Sequence, residues 1–257
     1  MNGALRRART LELLAAHGQL TVEELSARLD VTESTVRRDL QRLSAEGRLT
    51  RTLGGAALPT PGYSEPSLAQ RSQTARAEKE AIARYCASLV ADGEKIILDA
   101  GTTTGRLAAA LRSRTSLTVF TNGLTSIMEL AAADDVEVVV LGGRIRHISQ
   151  GLVGALTDLS LSRVTADRVF LGADAIRADL GICEADLEQT RTKELMAQRG
   201  RKVYVLADSS KLDQAPFDAW ADVGEYTLIT DSAATPAQLA SFERAPNVEV
   251  VVVNPVS

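Results

Sequence analysis

The chain has 257 residues, and at roughly 150 residues per domain that length suggests two domains. With 45% hydrophobic and 24% charged residues, the composition excludes a mainly disordered or collagen-like chain, and no uncharged apolar run approaches the roughly 18 residues that cross a bilayer. The net charge of −4 is uneven: residues 1–58 hold nine arginines, no lysine and seven acids, a local +2, which leaves −6 for the remainder. Arginine suits bidentate recognition of phosphates and guanine edges, so the first segment is the candidate for nucleic acid. Arg6, Arg7 and Arg9 imitate the start of a signal peptide, but Glu12 and His17 interrupt the apolar stretch that should follow, and the expected location is cytoplasmic, with no membrane partner. Cys86 and Cys183 are too few and too scattered for a disulfide framework or a metal cluster. No metal, cofactor or catalytic residue is expected.

In chain order, Leu11, Leu13 and Leu14 mark a first amphipathic helix ending at Gly18. Thr21 precedes Val22, Glu23 and Glu24 as the N-cap of a Thr-x-x-Glu capping box, and Val22, Leu25 and Leu29 share one face of a short second helix that runs out at Asp30-Val31. Thr32 opens a third helix with Val36, Leu40 and Leu43 inward and Gly47 at its end. Its other face carries Ser34, Thr35, Arg37, Arg38, Gln41 and Arg42, as a helix entering a major groove requires. Asp39 is expected to brace Arg38 or a nearby backbone group, since an acid facing phosphates is repelled. Residues 48–56 alternate as a small hairpin with a glycine turn, a wing that presents Arg51. Thr21, Thr32, Ser34, Thr35, Arg37, Arg38, Gln41, Arg42 and Arg51 are the candidate DNA contacts. On helix spacing alone, a three-helix bundle with a solvated charged face fits as well.

Residues 57–66 hold three of the seven prolines and read as an extended linker. The expected division is 1–58 for DNA binding, 59–74 as connector and 75–257 as effector domain, with helical character over 67–91. From residue 95, short apolar runs end in small polar residues: 96–99, 117–121, 136–141, 169–172, 203–206 and 226–230. Separated by helical stretches, they indicate buried parallel strands of an α/β domain, whose ligands sit beyond the carboxyl ends. The residues there are chemically selective. Gly101 with Thr102, Thr103 and Thr104 at a helix start suits a phosphate. Asn122, Gly123 and Gly143 offer an amide and close backbone approach, Arg144, Lys193 and Lys211 offer cations, and Asp99, Asp174 and Asp208 accept from sugar hydroxyls. Taken singly, the threonines cap a helix and the aspartates tie down loops; together they point to a pocket.

Thr-Val-Glu-Glu-Leu (21–25), Val-Thr-Glu-Ser-Thr-Val-Arg-Arg-Asp-Leu (31–40) and Gly-Arg-Leu-Thr-Arg-Thr-Leu-Gly-Gly-Ala (47–56) closely resemble the winged helix-turn-helix of DeoR-type bacterial transcriptional regulators. Leu53 stands where that family usually has a histidine. Asp-Ala-Gly-Thr-Thr-Thr, Thr-Asn-Gly, Leu-Gly-Gly, Phe-Leu-Gly-Ala-Asp and Asp-Ser-Ser-Lys-Leu, in that order, resemble its sensor domain, so the resemblance covers nearly the whole chain. It implies a fold similar to ribose-5-phosphate isomerase and a phosphorylated sugar effector. Gly172-Ala173-Asp174 is the shared element, and Lys193-Glu194 resembles a later pair of the isomerase. The isomerase's Lys-Gly-Gly-Gly segment is absent, which implies binding without turnover.

The expected function is a sequence-specific, operator-binding regulator, in the family a repressor of carbohydrate genes released by its effector. It is expected to act as a homo-oligomer, since one recognition helix covers too few base pairs. The alternative is an isomerase-like enzyme with an accessory N-terminal domain and Asp174 or Glu184 as general base. A helix-turn-helix used only for protein contacts fits the outward arginines poorly.

Overall fold

The computed structural model describes residues 3–45, 48–52, 54–57 and 65–255. They form two compact units, residues 1–67 and 68–257.

In the first unit, α1 (Gly3–His17) leads to β1 (Gln19–Thr21), α2 (Val22–Leu29), α3 (Glu33–Ala45), β2 (Thr50–Thr52) and β3 (Gly55–Ala57). Gly18 ends α1 at φ +76°, a left-handed turn that costs glycine little. The capping box at Thr21 is formed: its hydroxyl accepts from Glu24 N at 3.1 Å, and Glu24 Oε2 accepts from Thr21 N at 2.7 Å. Leu14, Val22, Leu25, Leu29, Val36, Leu40 and Leu43 are buried in one core, each side chain worth about 1.5–3 kcal/mol over leaving it exposed. The expected hairpin is the antiparallel pair β2–β3, and β1 joins it as a third strand against β3. That strand was not anticipated, because three residues are too few to show an alternation. Gly47 and Leu53 lie outside the described residues.

The second unit begins with α4 (Leu68–Gln73) and α5 (Arg76–Leu89), separated by Ala75 at φ 50°. Residues 59–64 of the expected connector lie outside the described residues, whereas 68–73 are helical and belong to this unit. There follow β4 (Lys95–Leu98), α6 (Thr102–Ala110), β5 (Leu117–Thr121), α7 (Leu124–Leu130), β6 (Val136–Val140), β7 (Arg144–Arg146), β8 (Gly151–Val153), α8 (Ala155–Leu161) and β9 (Ala166–Gly172). The chain continues through β10 (Ala175–Arg177), β11 (Gly181–Glu184), α9 (Leu187–Ala197), β12 (Gly200–Leu206), β13 (Ala219–Ala221), β14 (Tyr226–Asp231), α10 (Pro236–Glu243) and β15 (Val248–Val253).

Seven strands form one parallel sheet in the order β15-β14-β12-β9-β4-β5-β6. All six expected runs are strands of it; the seventh, β15, is an addition on the edge. One face packs Ile82, Cys86, Leu107 and Leu130 of α5, α6 and α7, and the other packs Leu161, Met196 and Phe242 of α8, α9 and α10. The result is a three-layer α/β sandwich. From β4 the chain runs outward through β5 and β6, then returns to β9 beside β4, so the order reverses between β4 and β9. A crevice at such a reversal is where open α/β sheets bind ligands. No helix among the described residues is long and apolar enough to cross a membrane.

Candidate functional site

The DNA-facing candidates cluster on α3. Ser34, Arg37, Arg38, Gln41 and Arg42 are exposed and Thr35 half-buried. At the helix start, Thr32 Oγ1 lies 3.0 Å from both Ser34 Oγ and Thr35 Oγ1, a hydroxyl cluster able to donate to phosphate or base edges. Arg37 Nη2 donates to Glu33 at 2.6 Å, so this arginine is partly neutralised while free of DNA. Thr21 is exposed but its hydroxyl is spent on the α2 cap. Arg51 lies on β2, and its side chain is outside the described residues. Asp39 corrects the expectation: it does not brace Arg38 but is buried and paired with Arg6 and Arg7 of α1. Position 39 sits within the inward stripe 36, 40 and 43, so its carboxylate points at α1.

The ligand candidates occupy the carboxyl ends of β4, β5, β9 and β12. Gly101 precedes α6, whose first turn carries Thr102, Thr103 and Thr104. A Cβ on Gly101 would stand 3.1 Å from Thr104 Oγ1, so glycine leaves that hydroxyl room. Thr104 is fully buried, and its Oγ1 has no partner among the described residues. Gly123 lets the β5 end approach β4, since a Cβ there would meet Ala100 Cα at 2.9 Å. Asn122 donates to Leu152 O at 3.1 Å while its buried Oδ1 stays unsatisfied. Asp174, after β9, accepts from Arg71 Nη1 at 2.6 Å through one oxygen, and the other has no partner. Asp208, after β12, accepts from Ser210, with its buried Oδ2 lacking a hydrogen bond and Lys79 and Lys211 at 3.9 and 4.0 Å. Lys211 donates to Ala173 O, which draws the β9 and β12 ends together.

Other candidates are used differently. Lys193 is buried and committed inward: its ammonium donates to Asp99 and to Gly172 O at 2.9 Å, and lies 3.1 Å from Glu184. Burial pushes the Lys193 ammonium down, but Asp99 and then Glu184 more than offset this, so it stays charged. Burial pushes the Glu184 carboxyl up to about 8 against the pull of Lys193. Asp99 also accepts from Gly172 N at 3.1 Å, so it ties β4 to β9. Gly143 packs against Val153 and Thr157, and Arg144 is exposed and paired with Glu188, outside this cluster. A groove of about 770 Å³ lies at the opposite ends of β12, β14 and β15, among Tyr85, Tyr204 and Tyr226, and holds none of these residues.

Three further cations reach the crevice: Arg71 on α4, Lys79 on α5 and Arg106 on α6. Lys79 escaped the sequence reading, though a signal was there: positions 79, 82, 83 and 86 make one buried stripe of α5 with a lysine in it. Arg71 carried no signal, because α4 is six residues long with none buried.

A basic helix-turn-helix with a β-wing, joined in one chain to an α/β unit with a polar crevice at its strand ends, defines a ligand-responsive DNA-binding regulator. Residues 6–61 match the DeoR-like helix-turn-helix domain and residues 74–232 the DeoR C terminal sensor domain. The chain is 32% identical, over 96% of its length and 93% of the relative's, to a putative aga operon transcriptional repressor of Escherichia coli O157:H7. It is 31% identical, over 85% of each chain, to the glycerol-3-phosphate regulon repressor of Escherichia coli K12. Ribose 5 phosphate isomerase A from Neisseria gonorrhoeae is similar at 19% identity and TM-score 0.39, over 52% of each chain. The chain belongs to the DeoR family of transcriptional regulators, and the enzyme alternative is not favoured, since both of these relatives above 30% identity are repressors.

Proposed function

We propose that this regulator is a cytoplasmic repressor of carbohydrate-metabolism genes whose operator affinity is set by a phosphorylated sugar bound at the ends of β4, β5, β9 and β12. The observation that carries the reading is the set of unsatisfied buried polar atoms there. Thr104 Oγ1, beside the amino end of α6, is a donor for an anion. Asp174 Oδ2, Asp208 Oδ2 and Asn122 Oδ1 are acceptors for hydroxyls. One hydroxyl donor and three oxygen acceptors left open in this way suit a phosphorylated polyol. Gly101 to Thr104, Asn122, Gly123, Asp174, Asp208 and Lys211 hold the ligand in this reading; Asp99 and Lys193 brace the strands beneath it. Thr32, Ser34, Thr35, Arg37, Arg38, Gln41 and Arg42 meet the DNA, and two or more copies bind repeated half-sites. The names of the two relatives, repressors of an aga operon and of a glycerol-3-phosphate regulon, support repression and a phosphorylated ligand.

Calorimetry of the full chain with glycerol 3-phosphate, ribose 5-phosphate, glucose 6-phosphate and fructose 6-phosphate, beside their unphosphorylated parents, tests the ligand class. Binding of a phosphorylated compound and not its parent is expected. Binding of none of them, or of parent and phosphate alike, contradicts it.

A further inference from the structure

The short helix α4 is fastened by hydrogen bonds and ion pairs, with Leu68 N donating to Ile148 O at 3.1 Å at its start. None of its residues is buried, so it has no apolar anchor of its own. Its Arg71 side chain reaches Asp174 in the crevice at 2.6 Å. Its carbonyl end is gripped from below: Lys79 Nζ donates to Arg71 O at 2.7 Å and to Thr74 O at 2.8 Å, and Arg106 Nη2 donates to Ser72 O at 3.0 Å. Lys79 itself is 1% exposed.

These fastenings are also the positive charges of the crevice. Lys79 interacts electrostatically with Lys211, Asp208, Arg106 and Arg71. The four cations share the carboxylates Asp174 and Asp208, with Glu80 on Arg106 at 3.4 Å. Burial, followed by the charge of Lys211, pushes the Lys79 ammonium down to about 8. An anion entering the crevice relieves that repulsion. We infer that Arg71 and Lys79 complete the anion site from the α4 side, so that a bound anionic ligand tightens α4 over the crevice and α4 acts as the clasp that reports occupancy. Leu68 begins the second unit directly after Ser67, the last residue of the first, so the clasp sits where the chain enters the second unit. The inference rests on the phosphorylated-ligand reading above.

Hydrogen exchange of the α4 amides in the full chain tests it. Without ligand, Arg71→Ala should speed exchange in α4 by about tenfold or more, the loss of one charge-assisted bond. Asp174→Asn opens the same contact from the other side and should do likewise, which guards against a folding defect peculiar to one variant. With whichever of the four sugar phosphates or inorganic phosphate calorimetry finds to bind, wild-type α4 should slow by a similar factor, and Arg71→Ala should lose that protection. Unchanged α4 exchange in both variants overturns the clasp. A phosphate compound that binds by calorimetry and leaves wild-type α4 unchanged also overturns it, with the ligand reading intact. If no phosphate compound binds, the ligand reading and the clasp fall together.

Discussion

Asp39 of α3 is ion-paired with Arg6 of α1, 33 positions earlier in the chain. The pair fixes the rotation of α3 about its axis: with Asp39 turned inward and buried, Arg38, Gln41 and Arg42 are turned out. Asp39→Ala strands two arginine charges in a partly buried site and should destabilise the first unit by about 1–3 kcal/mol. Hydrogen exchange in α1 and α3 of the full chain reports this, and exchange as slow as in wild type would contradict it.

Arg38 and Arg37 differ in what they cost to lose. Arg38→Ala should weaken operator binding by about 1–3 kcal/mol. Arg37→Ala should cost less, because Arg37 must first leave Glu33, and Glu33→Ala should strengthen binding and steepen its salt dependence by freeing a cation. A gel-shift series at two salt concentrations measures all three. Weaker binding by Glu33→Ala would show that Glu33 positions Arg37 for DNA.

Thr104→Val keeps the shape of the side chain and removes a buried hydroxyl with no partner. The folded chain should be as stable as wild type or more so, since an unsatisfied group disappears. Its affinity for the phosphorylated ligand should fall about tenfold or more with DNA binding unchanged. Thermal melts and calorimetry separate these outcomes, and undiminished ligand affinity would remove Thr104 from the site.

Glu184 makes stability depend on pH. Its carboxyl ordinarily titrates at 4.5 and stands at about 8 in the folded chain, through burial first. Below pH 4.5 both states are protonated and its contribution is full; as pH rises toward 8 the unfolded chain releases the proton first and stability is lost. Glu184→Gln cannot release it. Relative to that variant, wild type should lose stability as pH rises from about 4.5 to 8. Parallel denaturation curves for the two proteins across that range would contradict the assignment.

The elements that sequence made legible are those whose signal is local. The Thr21 capping box spans four residues, Val36, Leu40 and Leu43 repeat at helical spacing, and the central strands carry short apolar runs ending in small polar residues. The strand-end glycines and threonines were legible for the same reason, since each motif lies within a few residues of its strand. What escaped depends on contacts far apart in the chain. Arg71 meets Asp174 across 103 positions, and no periodicity in a six-residue helix foretells it. Lys193 stood among the ligand cations through the resemblance of Lys193-Glu194 to an isomerase pair, and a lysine within α9 gives no sign of whether its partner is a ligand or a buried carboxylate; Asp99, 94 positions away, decides that.

The central claim, that one chain couples operator DNA to a phosphorylated sugar, is tested most directly by fluorescence anisotropy of the full chain on DNA from upstream of its own and neighbouring genes. The titration is run at two salt concentrations, with and without each of the four sugar phosphates. The account predicts selective binding that weakens with salt, and a shift of about tenfold or more by one sugar phosphate and not by its parent. Selective binding that stays the same when a sugar phosphate known to occupy the protein is present would contradict it.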